Sequence, residues 1–169
     1  MDTRAQTTVV AVTTPLAATP TVRYRERLRV PLWWWLPGFG LAALIAVTVN
    51  RALHNAPNWV GFVVMAPLAV LVLLWLGRHT VSVTSADGVT ELWIDDAHLP
   101  TGVIARSAVV PASAKSAALG RQLDPAAFVA HRGWVGPMVL VVLDDPDDPT
   151  PYWLFSSRHP DRVLAALAE

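Results

Sequence analysis

LWWWLPGFGLAALIAVTV, residues 32–49, and WVGFVVMAPLAVLVLLWL, residues 59–76, dominate the first half of the chain. Each run has 18 residues and no charged side chain. At about 1.5 Å rise per residue, such a run makes a helix of roughly 27 Å, close to the hydrocarbon thickness of a bilayer. Pro37, Gly38 and Gly40 fall early in the first run, where a missing N–H costs little because the first helical turn has orphan donors anyway. Pro67 interrupts the second run, and a membrane helix tolerates such a kink when its neighbours satisfy the freed carbonyl. Trp59 and Trp75 bracket that run as an aromatic belt would. A secretory signal is a poor fit, since the apolar stretch begins late and a second follows it. The expectation is an α-helical membrane hairpin of two transmembrane helices, about 32–49 and 59–76. The polar break Asn50–Asn58 joins them and carries Arg51, His54, Asn55 and Pro57.

Arginine sets the expected orientation. Arg23, Arg25, Arg27 and Arg29 precede the first run, Arg78 follows the second, and Arg51 alone lies between. The positive-inside rule then places both termini in the cytoplasm of a multi-pass cell-membrane protein. The residues expected at the membrane interface are Arg25, Arg27, Arg29, Trp33, Trp34, Trp35, Trp59, Trp75 and Arg78. The 53% hydrophobic and 15% charged composition agrees with a membrane component, since soluble domains are about 25% charged. The absence of Cys removes disulfides, thiolate metal sites and a Cys nucleophile. The formal net charge of zero hides an asymmetry. Residues 1–79 carry seven Arg against Asp2 and Glu26, a net of +5, and residues 80–169 carry a net of −5. An acidic second half argues against nucleic acid as a partner.

Residues 1–22, rich in Thr, Ala, Val and Pro, read as a disordered tail; 23–79 form the hairpin, and 80–169 a cytoplasmic α+β domain. In that domain Thr80–Thr84 alternates with period two, Asp87-Gly88 is a hairpin turn, and Glu91–Ile94 returns as the partner strand. Val103–Val110 reads as one or two strands, and Ala112–Leu119 as a short helix ending at Gly120. Met138–Leu143 is an apolar strand buried on both faces, and Tyr152–Phe155 is another. Ser157–Pro160 opens a last helix, with Val163, Leu164 and Leu167 on its apolar face. The pattern predicts a small curved sheet or partial barrel capped by the C-terminal helix.

Candidate chemistry is sparse. Asp144, Asp145, Asp147 and Asp148 crowd one turn and offer oxygen ligands for a divalent metal, although the spacing is not that of an EF-hand; a solvated acidic hairpin between two apolar strands is the simpler explanation. Asp95, Asp96 and His98 form a second cluster of metal-ligating or acid–base type, which a strand end and polar turn also explain. Arg106, Lys115, Arg121 and Arg132 offer a phosphate or head-group pocket, or ordinary surface charge. His131, Arg132 and Trp134, with Tyr152 and Trp153, are the candidate interaction surface. Neither a nucleophile elbow nor a nucleotide loop is present, so no catalytic residue is assigned. Two functions follow as expectations. The first is a membrane-anchored, non-enzymatic interaction or scaffold module that binds the bilayer and a cytoplasmic or membrane protein, as a monomer or homo-oligomer, with no cofactor. The second is a membrane-associated enzyme or accessory subunit with a divalent-metal site built from Asp and His.

Several segments resemble the DUF3093 family of actinobacterial membrane proteins of unknown function. They are Glu26–Pro31 with the Trp run, Trp75–Arg78, Leu92–Pro100, Ala118–Gly120 with Leu123–Phe128, His131–Trp134, Asp144–Trp153 and Ser156–Pro160. The resemblance covers about residues 23–168 and implies a cell-membrane location without implying an activity. The second half is also similar, in the order of its elements, to bacterial PH-like domains that follow a two-helix anchor. That likeness concerns fold, and fold does not carry function.

Overall fold

The computed structural model describes residues 20–53 and 57–168. Most of the expected tail and the His54-Asn55 part of the polar break therefore lie outside the described residues. The first element among the described residues is a strand, β1 (Thr21–Arg27), where the end of the tail and the basic run were expected. A short 3-10 turn (Leu32–Trp34) leads into α1 (Trp35–Ala52), and α2 (Val60–Leu76) follows. Then come β2 (Thr80–Ala86), β3 (Val89–Ile94), β4 (Ala97–Pro100), β5 (Ile104–Val110), α3 (Lys115–Leu119), β6 (Phe128–Ala130), β7 (Met138–Leu143), β8 (Tyr152–Ser156) and α4 (Pro160–Ala168).

The expected fold class requires three corrections. First, among the described residues only Leu32–Ala52, 21 residues, is a helix long and apolar enough to cross a membrane. The second run does not reach that length. Pro57 opens a turn, closed by the Val60 N–H on the Pro57 carbonyl at 3.1 Å, and this leaves Trp59 outside the helix. The remaining 17 residues, about 26 Å at 1.5 Å per residue, make a shorter apolar helix. The two-span hairpin is thus overturned, and the multi-pass placement with both termini on one side has no support. Second, the sheet region does not simply follow the helices. β1 pairs antiparallel with β2, Arg25 opposite Ser82 and Arg27 opposite Thr80, so both helices are inserted between two neighbouring strands. Third, the strands form two four-stranded sheets in place of one curved sheet or partial barrel. The orders are β1-β2-β3-β4 and β5-β7-β8-β6, with β6 parallel to β8. The chain leaves the first sheet at Pro100, which has no N–H to donate, and a 3-10 turn over Thr101–Val103 redirects it into the second.

Local chemistry explains the strands. Asp87 and Gly88 both take positive φ, the geometry of a tight hairpin turn between β2 and β3. Asp95, also at positive φ, makes a second two-residue turn with Asp96 between β3 and β4. Across the first sheet the inward rows are Tyr24-Val83-Leu92-Leu99 and Glu26-Val81-Ile94-Ala97. Val83 and Leu92 are fully buried. They meet Val139, Val141 and Phe155 of the second sheet and Val163 and Ala166 of α4 in one core. The two apolar helices pack closely on each other. The N–H of Gly61 donates to the Asn50 side chain at 2.8 Å, and a Cβ at Gly61 would stand 2.5 Å from the Ala46 carbonyl oxygen.

Glu26 closes this frame. Although charged, it is buried on the inner face of β1. Its carboxylate accepts from the Ser157 hydroxyl at 2.8 Å, the Arg158 N–H at 3.0 Å and the Tyr24 hydroxyl at 2.9 Å. Burial, with this carboxylate alongside, pushes the Tyr24 phenol up to about 12. Ser157 stands just before α4. Its hydroxyl does accept from the His159 N–H at 3.2 Å, but its proton goes to Glu26. Removing the carboxylate strands these donors, and each buried unsatisfied donor costs about 1–3 kcal/mol. Glu26→Ala is therefore expected to lower unfolding stability by at least about 1–3 kcal/mol in urea denaturation. Unchanged stability would contradict the clasp.

Candidate binding clefts at the helix–sheet junction

The insertion of the helices between β1 and β2 creates two clefts that share Arg78. The larger, about 830 Å³, lies over the outer face of the first sheet. Its floor is one cross-strand row: Arg25 of β1, Ser82 of β2, Trp93 of β3, with His98 of β4 stacked on the Trp93 ring at 4.7 Å between centroids. Outward residues on adjacent strands stand about 4.5–5.5 Å apart, so this row is continuous. The Trp93 indole N–H donates to the Glu91 carboxylate at 3.1 Å. Asp95 contacts the His79 ring with one carboxylate oxygen and accepts the Thr80 N–H with the other at 2.8 Å. Trp75 and Arg78, at the end of α2, form the wall toward the helices. Glu91 and Asp95 thus have partners within the protein. Arg25 and Arg78 have no ion-pair partner among the described residues.

The second cleft, about 700 Å³, lies where the chain enters and leaves the helices. Arg27, Arg29 and Arg78 line it together with Leu32, Trp35, Leu73 and Leu74. No acidic side chain lines it.

The residues expected to bind metal are divided between the two sheets. Asp95 and Asp96 border the larger cleft, and His98 supports its Trp floor. Asp144, Asp145, Asp147 and Asp148 lie on the β7–β8 connection. There the Asp145 carboxylate accepts the Asp147 N–H at 3.0 Å and the Asp148 carboxylate accepts the Thr150 N–H at 2.8 Å. These are self-contained turns of the Asx type. The Thr150 side chain, and then its N–H, hold Asp148 below its ordinary value. Among the described residues no group of three His, Asp or Glu converges to hold a metal ion.

The expected interaction surface is distributed differently. Trp153 is buried and packs with a tilted ring on Phe128, its partner in the parallel β6–β8 pair, at 4.4 Å between centroids. The Tyr152 hydroxyl accepts the Asp124 N–H at 2.7 Å and so fastens the loop before β6. Trp134 packs edge-on against Trp34, ring centroids 5.5 Å apart, and ties the His131–Pro137 loop to the entrance of α1. Lys115, on α3, donates to the carbonyls of Arg132 and Val135. Of the four cations considered for a head-group pocket, Lys115 is therefore a clamp on this loop. Among the expected interface residues, Trp33, Trp59 and Trp75 are exposed. His79 was missed by the sequence reading; its only signal was its place beside Arg78 at the end of the second apolar run.

The fold and clefts define a two-sheet α+β protein with an apolar helical insertion and a cationic junction. The chain belongs to the DUF3093 family, described as a protein of unknown function, whose model matches residues 23–167. No curated protein and no solved structure matches the chain. Glu26–Pro31 and Ser156–Pro160, the first and last segments that carry the resemblance, meet in space through the Glu26 clasp.

One pH effect follows from the loop. Burial, then the nearby Lys115 and Arg132 charges, hold His131 below its ordinary value. Above about pH 6.5 the imidazole is neutral in both folded and unfolded chains, and His131 adds no pH dependence. As pH falls through that value the unfolded chain takes up the proton first, so folded stability declines. His131→Asn should make the loss of urea stability between about pH 7 and pH 5 shallower than in the wild type. An identical slope would show that His131 does not contribute.

Proposed function

We propose that the protein is a membrane-attached, non-enzymatic binding module. α1 lies in the bilayer, and the two sheets form a body at the membrane surface that receives a polar ligand or partner. The observation that carries this reading is the apolar exposure of the helices. Leu36, Leu41, Leu44 and Ile45 of α1 and Val63, Leu71 and Leu74 of α2 are exposed. Water-soluble monomers rarely expose contiguous apolar patches beyond a few hundred Å². The cationic and tryptophan-bearing residues Arg27, Arg29, Trp75 and Arg78 stand where this surface gives way to the sheets, a position suited to a membrane interface. The larger cleft supports the binding role. Its volume is in the range of small-molecule sites, and its floor combines a Trp ring with hydroxyl and cationic side chains.

In cell fractionation the full chain should sediment with membranes and resist extraction by high salt and by alkaline carbonate. Leu44→Asp with Ile45→Asp places two charges in mid-helix, each costing about 2.5–3.5 kcal/mol on insertion scales. This variant should move to the soluble or aggregated fraction. Wild-type protein recovered in the salt wash would end the reading.

A further inference from the structure

We infer that the smaller cleft binds the phosphate group of an anionic amphiphile, with the phosphate on Arg27, Arg29 and Arg78 and the apolar chain against Trp35, Leu73 and Leu74. The inference rests on the membrane-attached reading and names a ligand class for a second site.

The strand register brings the three arginines together. Arg27 lies opposite Thr80, and the Leu28 N–H donates to the His79 carbonyl at 2.9 Å, so the pairing of β1 with β2 continues past the strand ends. Arg29 and Arg78 follow as the next residues on the two sides. Gly77 permits this approach: a Cβ there would stand 3.3 Å from the Val30 nitrogen and 3.6 Å from the Arg29 Cα. Like charges gathered in this way repel one another, and the cleft supplies no carboxylate to offset them. Among the described residues none of the three has an ion-pair partner. The Glu26 clasp and the bond from the Arg158 guanidinium to the Arg29 carbonyl at 2.7 Å hold the backbone that carries two of them.

The chemistry of the cleft is two-sided. Guanidinium groups offer planar, paired N–H donors that match phosphate oxygens, and they remain charged at any physiological pH. Below them the wall is wholly apolar, formed by Leu32, Trp35, Leu73 and Leu74 at the junction of the two helices. A free phosphate would use only the upper half. A phosphate carrying an apolar chain uses both, and the volume of about 700 Å³ suits a head group with the first part of its chain. A zwitterionic head group would bring a cation to a cleft that already holds three.

The test uses the full chain in a neutral detergent, read by native mass spectrometry during titration with phosphatidic acid, phosphatidylglycerol or phosphatidylcholine. One molecule of either anionic lipid should be retained at least about tenfold more tightly than phosphatidylcholine. The Arg27→Gln, Arg29→Gln, Arg78→Gln variant should lose that preference, while Arg25→Gln, which borders only the larger cleft, should keep it. Inorganic phosphate in millimolar excess should not displace the lipid; displacement would mean that the site recognises a free anion and would overturn the amphiphile. Leu74→Trp fills the apolar half and leaves every charge in place, so it tests the site even if the triple variant misfolds. It too should release the lipid. Equal retention of anionic and neutral lipids, or full retention by Leu74→Trp, would overturn the proposal. Carbonate fractionation of the triple variant separates the two ideas: continued sedimentation with membranes leaves the attachment reading intact whatever becomes of the cleft.

Discussion

The buried carboxylate of Glu26 joins the beginning of the described chain to its end. It lies on the inner face of β1 and accepts from Ser157 and Arg158 at the start of α4, 131 and 132 residues away. A carboxylate in such a place needs several donors, because burying it unpaired would be costly. The Tyr24 hydroxyl and the Ser157 and Arg158 groups supply them. Once this contact forms, β1 is held against β2, and the intervening helices must leave and re-enter the sheet at neighbouring positions. The arginine-lined cleft, the shared wall at Arg78 and the contact of Trp34 with Trp134 all depend on that return path.

The sequence disclosed the elements whose signals are local. The alternation of Thr80–Thr84, the Asp87-Gly88 turn, the apolar β7 and the helix after Pro160 all appear where their patterns place them. β1 was hidden because its signals conflict. Tyr24, Glu26 and Leu28 alternate inward, but the central member is charged, and the intervening arginines satisfy a topogenic reading equally well. Only a partner 131 residues distant makes Glu26 a core residue. The length of α2 depended on whether Pro57 began a turn or a helix, and the second sheet gains its fourth strand through a three-residue parallel pairing of β6 with β8. Non-local pairings of this kind leave little trace in periodicity.

Site residues followed the same division. Three of the six aspartates conspicuous in sequence are absorbed by turns: Asp95 bonds His79 and Thr80, and Asp145 and Asp148 bond their own loop. The cations are less conspicuous, being spread between residues 25 and 78, yet they remain without ion-pair partners where the helices join the sheets. Charge balance within the fold thus directs attention from the acidic hairpin to the junction.

The central claim is that β1 is a member of the first sheet and that the helices are an insertion within it. Hydrogen–deuterium exchange of the full chain in neutral detergent tests this directly. The account predicts that amides in residues 21–27 are protected to about the level of β3, as strand partners exchange together. Exchange of residues 21–27 within seconds, at the rate of an unstructured peptide and with β2 and β3 still protected, would contradict it.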